Sequence, residues 1–350
     1  MECNAHLPQV INPEPRIARS YHRWHYGQDV KLKLIVQIPA FNEEEHIAAV
    51  IHQIPRNIPD ISTVEVLVID DGSTDQTADA AYEAGADHVI SLHRNRGLAA
   101  AFQIGLDASL RLGADVIVNT DGDGQYPGDQ IPQLVDPIFT NHADLVIGNR
   151  QVDTVDHFSF QKRWLQKFGS WIVRIASGTN VPDAPSGFRA YTRETALRLF
   201  VVSDFSYTID NLIQAGKRRL SVTHVPIRTQ PTRPSRLHRG NWNFIKRQAA
   251  TIARTYATYE PLKTFFWISI PFFLISFILF IRFVILYIIE NFATTGHLHS
   301  IVVAGVALIA GFLVVIFGLL ADRLGDNRRL LDEILYRMRK EELKVPDDKK

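Results

Sequence analysis

The residues best suited to chemistry form the run Asp121-Gly-Asp-Gly-Gln125, which directly follows the apolar stretch VIVNT. Alternate carboxylates on an extended segment could hold a hard divalent cation through oxygen ligands, with the amide oxygen of Gln125 nearby. Gly122 and Gly124 would let a phosphate come close to the backbone. An Asp-x-Asp pair alone is more often an ordinary loop, so its place after an apolar strand is what favours a metal site.

Two further segments place acids at the end of an apolar run. Asp70 and Asp71 end the run VEVLVIDD, where they could accept hydrogen bonds from a nucleobase edge and ribose hydroxyls, or could merely precede a helix. Pro39 and Phe41 lie at the end of the run from 32 to 41, and Glu43 follows two residues later. The alternative there is a strand end, an Asn cap and acids in a first helical turn, which suit the helix dipole.

The segments that must position these residues alternate between strand and helix patterns. Apolar runs predict strands, and the stretches between them predict helices. This alternation favours an α/β fold with a mostly parallel sheet and helices on both faces. Ligands of such sheets bind beyond the carboxyl ends of the strands, where the three acid-bearing segments fall. The predicted strands are 32–41, 64–73, 86–92, 114–123 and 143–149, and the predicted helices lie near 43–54, 74–85, 97–112 and 128–140.

Two apolar segments near the C-terminus predict a membrane hairpin. Residues 265–289 carry one charge, Arg282, and residues 301–321 carry none. Each is long enough to cross a bilayer as a helix. The linker 290–300 has no Lys or Arg, whereas ten lie between Lys217 and Arg254. By the positive-inside rule, the α/β domain and both termini are expected on the cytoplasmic side.

A basic, acid-free segment precedes the first span. It contains Arg233, Ser235 and Arg236, and no Asp or Glu occurs from 211 to 259. The two arginines could bind an acceptor phosphate, although a solvated basic loop remains the alternative. Farther along, Trp242, Ile245, Ala249, Ile252, Tyr256 and Tyr259 recur at helical spacing. They predict an interfacial amphipathic helix, the alternative being a helix packed on the α/β domain.

Composition excludes several classes of protein. The 350 residues suggest about two domains. With 38 Lys+Arg against 37 Asp+Glu, a nucleic-acid coat and an acidic disordered chain are excluded. A single cysteine, Cys3, excludes a disulfide framework or a multi-cysteine zinc site. Residues 1–30 are polar and lack the apolar core of a signal peptide.

Taken together, the three acid-bearing segments resemble the family 2 glycosyltransferases, which have the nucleotide-sugar-binding GT-A fold. Within that family the chain is similar to the polyprenyl-phosphate glycosyltransferases, the group that includes dolichol-phosphate mannose synthase. The resemblance covers about residues 31–321, including the hairpin. It divides the chain into a polar extension (1–30), a GT-A domain (31–230), a basic loop with an interfacial helix (231–262), a membrane hairpin (263–322) and a cytoplasmic helix and tail (323–350).

The resemblance also implies roles for individual residues. It implies nucleotide-sugar binding for Pro39, Phe41, Glu43, Asp70, Asp71, Asn95, Gly97, Asp121 and Gly122. It implies Mg²⁺ or Mn²⁺ ligands at Asp121, Asp123 and Gln125, and a catalytic role for Asp121, Asp123 and Arg150. Acceptor-phosphate binding is implied for Arg150, Arg163, Ser186, Arg189, Arg233, Ser235 and Arg236.

Gly187 departs from the pattern, because some relatives carry an acid there that has been considered as a base. The nearest acid in this chain is Asp183. A lipid phosphate is already ionised near neutral pH and needs no base, whereas an alcohol acceptor would need one. The departure therefore favours a phosphate acceptor.

The resulting hypothesis is a metal-dependent, inverting transfer of one sugar from a UDP- or GDP-sugar to undecaprenyl or dolichyl phosphate, in cell-envelope glycan synthesis. The enzyme would be a multi-pass protein of the inner cell membrane. Its partners would be the donor, the lipid acceptor and the bilayer. Its hairpin could also pack with copies of itself. No nucleic-acid partner is expected. The rivals are a glycosyltransferase making a diacylglycerol-type glycolipid and a non-catalytic membrane scaffold.

Overall fold

A computed structural model describes residues 31–151, 170–171, 173–175, 177–201, 207–230, 257, 260–289 and 298–343. Within these residues the chain forms an α/β domain and two long C-terminal helices. The predicted acceptor residues Arg163, Arg233, Ser235 and Arg236 lie outside them, as does almost all of the predicted interfacial helix.

A seven-stranded mixed sheet, in the order β3-β2-β1-β4-β6-β5-β7, forms the centre of the α/β domain. Strand β6 is antiparallel to both β4 and β5, and the other pairings are parallel. The mostly parallel sheet predicted from the alternating pattern is therefore confirmed. The strands are β1 (Lys33–Ala40), β2 (Thr63–Asp70), β3 (His88–Ser91), β4 (Val116–Asn119), β5 (Leu145–Asn149), β6 (Arg189–Thr192) and β7 (Val222–Pro226).

Helices cover both faces of this sheet. They are α1 (Ile47–His52), α2 (Thr77–Glu83), α3 (Leu98–Arg111), α4 (Ile131–Thr140), α5 (Arg193–Arg198) and α6 (Tyr207–Lys217), with a single 3₁₀ turn at Gly128–Gln130. The central strand β1 packs Val36 into one core and Ile35 into the other. A parallel strand buried on both faces reads as one continuous apolar run, which is why β1 was recognisable from its sequence.

The carboxyl ends of β1, β2 and β4 meet at one edge of the sheet. Ala40 pairs with Asp70, and Gln37 pairs with Asn119, so the loops after these strands lie side by side. Gly72 has a φ of +69°, and a Cβ there would lie 2.4 Å from the carbonyl carbon of Arg94. Only a glycine therefore lets the loop after β2 lie against the loop after β3.

Two C-terminal helices are long and apolar enough to cross a membrane. They are α7 (Pro261–Ile289) and α8 (Leu298–Glu342), and they contain the predicted spans 265–289 and 301–321. They pack together through Phe273 and Phe312, whose ring centroids lie 5.3 Å apart at 81°. Ser276 Oγ donates to the carbonyl of Ala304 at 2.9 Å, so this hydroxyl is satisfied within the hairpin.

Helix α8 continues well past the predicted second span. Its 45 residues correspond to about 68 Å of helix, roughly twice the hydrocarbon thickness of a bilayer. The C-terminal part packs on the α/β domain, where Tyr336 joins the core formed by α3, α5 and α6. Arg218 and Asp332 form an ion pair at 2.9 Å along the same contact. Helix α8 is thus part of the apolar hairpin at one end and packs on the α/β domain at the other.

Candidate active site

The loop after β4 carries the predicted metal ligands. Asp123 Oδ1 accepts a hydrogen bond from the backbone N–H of Gln125 at 3.0 Å, and Gly124 between them has a φ of +73°. A Cβ on Gly122 would lie 3.5 Å from the carbonyl oxygen of Pro39. The Asp121–Gln125 loop is therefore tightly turned and lies against the end of β1.

Negative charge is concentrated around Asp121. Burial raises the pKa of this carboxyl to about 7, and the neighbouring carboxylates of Asp123 and Glu43 add to the rise, while Arg150 and Arg189 oppose it. Carboxyl groups that repel one another in this way are suited to a divalent cation, because the cation would relieve the repulsion. We call Glu43, Asp121 and Asp123 the acidic cluster.

The acids after β2 hold the neighbouring loops. Asp71 accepts hydrogen bonds from the backbone N–H groups of Arg96 and Gly97, both at 2.8 Å. Asp70 Oδ1 accepts one from Ser73 N at 3.0 Å. Both oxygens of Asp71 are thus directed at the loop that carries the predicted donor residues Asn95 and Gly97, whereas Asp70 bonds through one oxygen within its own loop.

The β1 loop is joined to the β2 loop by hydrogen bonds. Asn42 Oδ1 accepts from Thr74 N at 2.9 Å, and Asn42 N donates to Ser73 Oγ at 2.9 Å. Asn42 does not cap α1, whose cap position is His46. The simple helix-cap interpretation of this segment is therefore wrong, and Asn42 instead joins the β1 loop to the β2 loop. The side chain of Phe41, next to Asn42, is exposed.

Arg150 follows β5 and is bound by Asp183. Its Nε and Nη2 donate to Asp183 Oδ2 and Oδ1, both at 2.8 Å, and its backbone N–H donates to Oδ2 at 3.1 Å. The charge of Arg150 acts on Asp121, because it lowers the pKa of that carboxyl. The structure therefore brings a cation and the acidic cluster to the same part of the sheet edge.

Arg189 is placed differently from the expectation for an acceptor-phosphate ligand. Its guanidinium is fully buried and donates to the carbonyls of Ser186 at 2.8 Å, Thr208 at 2.8 Å and Ala184 at 2.6 Å. The Ser186 side chain is also fully buried. We therefore correct this expectation: Arg189 holds the loop before β6 from beneath, and Ser186 is part of that loop's interior.

A polar network beneath the site was not expected from the sequence. Asn119, at the end of β4, donates to the carbonyl of Gly187 at 2.9 Å and to the hydroxyl of Tyr207 at 3.0 Å. Its Oδ1 accepts from Gln37 Nε2 at 2.9 Å. The signal available in the sequence was an Asn inside an apolar strand, directly before the acids. The network supports Gly187 and the start of the Asp121–Gln125 loop.

The sequence of the α/β domain matches a known family. Residues 35–200 match the model described as Glycosyl transferase family 2. The polyprenol monophosphomannose synthase of Mycolicibacterium smegmatis is 32% identical over 206 residues, which cover 56% of this chain and 76% of that protein. The chain belongs to glycosyltransferase family 2. The undecaprenyl-phosphate mannosyltransferase of Micrococcus luteus is 30% identical and is similarly covered, at 56% of this chain and 83% of that protein.

The fold agrees with this membership. Glucosyl-3-phosphoglycerate synthase from Mycobacterium tuberculosis, solved with Mn²⁺ and UDP-glucose, has a TM-score of 0.50 and 25% identity over 65% of this chain and 79% of that chain. The mixed sheet with its antiparallel β6 is thus a GT-A sheet, as the resemblance implied. This family 2 chain is a glycosyltransferase, and it carries two helices that could cross a membrane.

Proposed function

We propose that this glycosyltransferase moves one sugar from a nucleotide diphosphate sugar to a polyprenyl phosphate at the membrane surface. The observation that carries the proposal is that Arg150 follows β5 at the same edge of the sheet at which Asp121 follows β4, because both strands are antiparallel to β6; its charge also lowers the pKa of Asp121. A cation at that place suits an anionic acceptor, and the relatives at 30–32% identity are named for transfer to polyprenyl carriers. The apolar hairpin would keep the domain close to such a lipid.

The donor would bind along the loops after β1 and β2. Phe41 offers an exposed ring, and Asp70 keeps one oxygen that Ser73 does not use. Asp71 would act on the donor indirectly, by holding the loop of Asn95 and Gly97. Its two oxygens accept hydrogen bonds from backbone N–H groups of that loop. UDP and GDP are both compatible with these acids.

The Asp121–Gln125 loop would supply only part of the ligand shell of a divalent cation. Among the residues that the structure describes, no group of three or more His, Cys, Asp or Glu side chains could hold a metal by itself. Asp121, Asp123 and Gln125 would therefore bind Mg²⁺ or Mn²⁺ together with the donor diphosphate, a ligand set of few carboxylates plus phosphates that is usual for these ions. Such an ion would neutralise charge on the leaving diphosphate.

The acceptor would supply its own nucleophile. An oxygen of the ionised lipid phosphate would form a bond to the anomeric carbon as the bond from that carbon to the diphosphate breaks, and the nucleoside diphosphate would leave. One in-line displacement inverts the anomeric configuration. Arg150 would orient the attacking phosphate, assisted by Arg163, Arg233 and Arg236 from the segments outside the described residues.

The catalytic domain is expected on the cytoplasmic side of the inner cell membrane, together with both termini. Lys217 and Glu260 form an ion pair at the start of α7, which connects the α/β domain to the apolar helices at a second place besides α8. The absence of Lys and Arg from 290–300 supports the orientation. A tag at residue 295 labelled only from outside spheroplasts would agree with it, whereas labelling only from inside would contradict it.

A donor screen tests the function directly. The purified full-length chain would be given Mn²⁺, undecaprenyl phosphate and, in separate reactions, UDP-glucose, UDP-N-acetylglucosamine or GDP-mannose, with nucleotide release and glycolipid both measured. Release that depends on the lipid phosphate supports the proposal. Equal transfer to diacylglycerol would favour the glycolipid synthase, and no stabilisation by nucleotide with Mn²⁺ would favour a scaffold.

A further inference from the structure

Asp183 has a role that neither its position in the sequence nor family membership assigns. It is the nearest acid to Gly187, the position at which some relatives have an acid, so it was the natural candidate for a general base. The structure instead places its carboxylate against Arg150, with three hydrogen bonds from that one residue. The side chain of Asp183 is 1% exposed and that of Arg150 is 11% exposed.

This geometry disfavours a general base at Asp183. A base must reach the proton that it removes, and a carboxylate that is 1% exposed has almost no contact with an acceptor. Its lone pairs are directed at N–H groups of Arg150. Protonating it would also leave a buried guanidinium without its paired charge, which is costly in a protein interior.

The same geometry suits a residue that holds the guanidinium of Arg150 in place. The pair is bidentate, so it sets both the position and the plane of the guanidinium group. Asp183 contacts the edge formed by Nε and Nη2. Among the residues that the structure describes, no acceptor is found for Nη1, so this edge is available to a second anion. The third hydrogen bond, from the backbone N–H of Arg150, fixes the main chain as well.

Asp183 also connects this cation to the loop that touches Asp121. Its carbonyl accepts a hydrogen bond from Ser186 N at 3.4 Å, one residue before Gly187. A Cβ at Gly187 would meet Asp121 Oδ1 at 3.0 Å. The segment from Asp183 to Gly187 therefore borders both Arg150 and the acidic cluster.

We propose that Asp183 is a positioning residue, which holds Arg150 so that its Nη1 edge binds the phosphate of the acceptor, and that it does not act as a base. This role rests on the proposed function, in which the acceptor is an ionised phosphate. In Asp183→Asn, the amide N–H group of the new side chain would face the N–H groups of Arg150. The guanidinium would then no longer be held in place.

A kinetic double-mutant cycle separates the two roles. Asp183→Asn, Arg150→Ala and the double variant would be compared by kcat and by KM for undecaprenyl phosphate, using the donor that the wild-type chain accepts. A positioning residue acts through Arg150, so Asp183→Asn should raise KM about tenfold or more in the wild-type background and have little effect in the Arg150→Ala background. A base would lower kcat by about 100-fold or more in both backgrounds.

A pH profile and a conservative variant complete the test. The acid limb of kcat/KM should be unchanged in Asp183→Asn, whereas loss of that limb would identify a base and overturn the proposal. Asp183→Glu, which keeps the charge, should recover part of the lost affinity for the lipid phosphate. Affinity for nucleotide with Mn²⁺ should stay within about twofold of wild type in folded Asp183→Asn and Asp183→Glu, since Asp183 bonds to Arg150 and not to a predicted metal ligand.

The outcomes also distinguish this role from the proposed function. If the wild-type chain transfers sugar but the two substitutions have independent effects, the role of Asp183 is wrong and the function stands. If the wild-type chain transfers no sugar to a lipid phosphate, the proposed function fails and this role fails with it. If Asp183→Asn does not fold, Asp183→Glu carries the comparison: it should raise KM for the lipid phosphate with kcat kept in the wild-type background and have little effect in the Arg150→Ala background. A fall in kcat in both backgrounds would count against the proposal.

Discussion

The carboxylate of Asp121 lies directly against the α-carbon of Gly187. A methyl group built on that carbon would come within 3.0 Å of Oδ1 and 3.1 Å of Oδ2, and within 2.9 Å of the hydroxyl of Tyr207. An acid at this position would therefore need a different arrangement of Asp121. Because Gly187 has no side chain, the carboxylate of Asp121, a predicted metal ligand, has room beside it.

Gly187→Ala should displace Asp121 and weaken metal binding. The added methyl group must move the Asp121 carboxylate or the Tyr207 ring, and crowding of this kind typically costs about 1–3 kcal/mol. We expect the affinity for Mn²⁺ to fall about tenfold, with a parallel loss of transfer, as measured by calorimetry and by glycolipid formation. Gly325→Ala in α8 is the matched control, because a Cβ there meets nothing within 4 Å. Unchanged Mn²⁺ affinity in Gly187→Ala would contradict the placement of Asp121.

Metal binding should depend on pH around neutrality. Burial, with Asp123 and Glu43, raises the pKa of Asp121 to about 7 without metal, so below that pH a cation must displace a proton. We expect the Mn²⁺ affinity to rise about tenfold per pH unit up to about pH 7 and then to level off. Titrations of Mn²⁺ at several pH values would check this. A flat profile would contradict it, and Asp121→Asn should bind weakly at every pH.

The same raised pKa has a consequence for the metal-free protein. An acid whose pKa is higher in the folded state than in the unfolded state makes the folded state lose stability as the pH rises through that interval. The interval here runs from the ordinary value of 3.8 to about 7. With EDTA present, Asp121→Asn should lose less stability than wild type over this range in chemical unfolding. An equal loss in both proteins would show that Asp121 is not the group responsible.

The sheet edge could be predicted from the sequence because its strands are apolar runs that end in acids. Parallel strands bring their carboxyl ends to one edge, so the placement of Asp70 and Asp121 at the same edge could be predicted, whereas the order of the strands along it could not. Strand β6 was harder, because it has four residues and begins with Arg189. An arginine normally marks a surface position, and here three carbonyls satisfy it in the interior.

Contacts between distant segments could not be predicted in the same way. Periodicity reports which face of a helix is apolar but does not name its partner, so the pairing of Asp183 with Arg150 and the packing of Tyr336 on the α/β domain had no local signal. Asp71 shows the same limit, because a carboxylate at a strand end can bind a ligand or the N–H groups of a neighbouring loop with equal chemistry. The structure distinguishes these uses through geometry.

Asn119→Ala should destabilise the domain more than Tyr207→Phe. Asn119 bonds to Gln37, Gly187 and Tyr207 within the core, and its removal would leave buried donors and acceptors without partners. Each such group costs about 1–3 kcal/mol, so we expect a loss of about 3 kcal/mol or more. Tyr207→Phe removes one hydroxyl and should cost about 1 kcal/mol. Chemical unfolding followed by tryptophan fluorescence measures both, and equal losses would argue against a network centred on Asn119.

Tyr336 should stabilise the α/β domain although it lies beyond the apolar hairpin. Its ring is 8% exposed, its hydroxyl donates to Glu194 at 2.6 Å, and Arg198 lies 4.3 Å from the ring centroid. Burial raises the pKa of Glu194, but the hydrogen bonds from Tyr336 and Arg198 outweigh it, and the pKa is lowered overall. This contribution to stability is therefore complete above the ordinary pKa of 4.5 and is lost as the pH falls below it.

Tyr336→Ala should therefore cost about 3 kcal/mol, and Tyr336→Phe about 1 kcal/mol, at neutral pH. Met338 is the matched control, because it lies on the same part of α8 but is 64% exposed, so Met338→Ala should be nearly neutral. Hydrogen exchange of the backbone of α5, measured in detergent micelles, should speed up in Tyr336→Ala and not in Met338→Ala. If the two variants exchange alike, α8 does not stabilise the α/β domain. A difference confined to Tyr336→Ala would show that the helix following the second apolar segment is part of the catalytic fold.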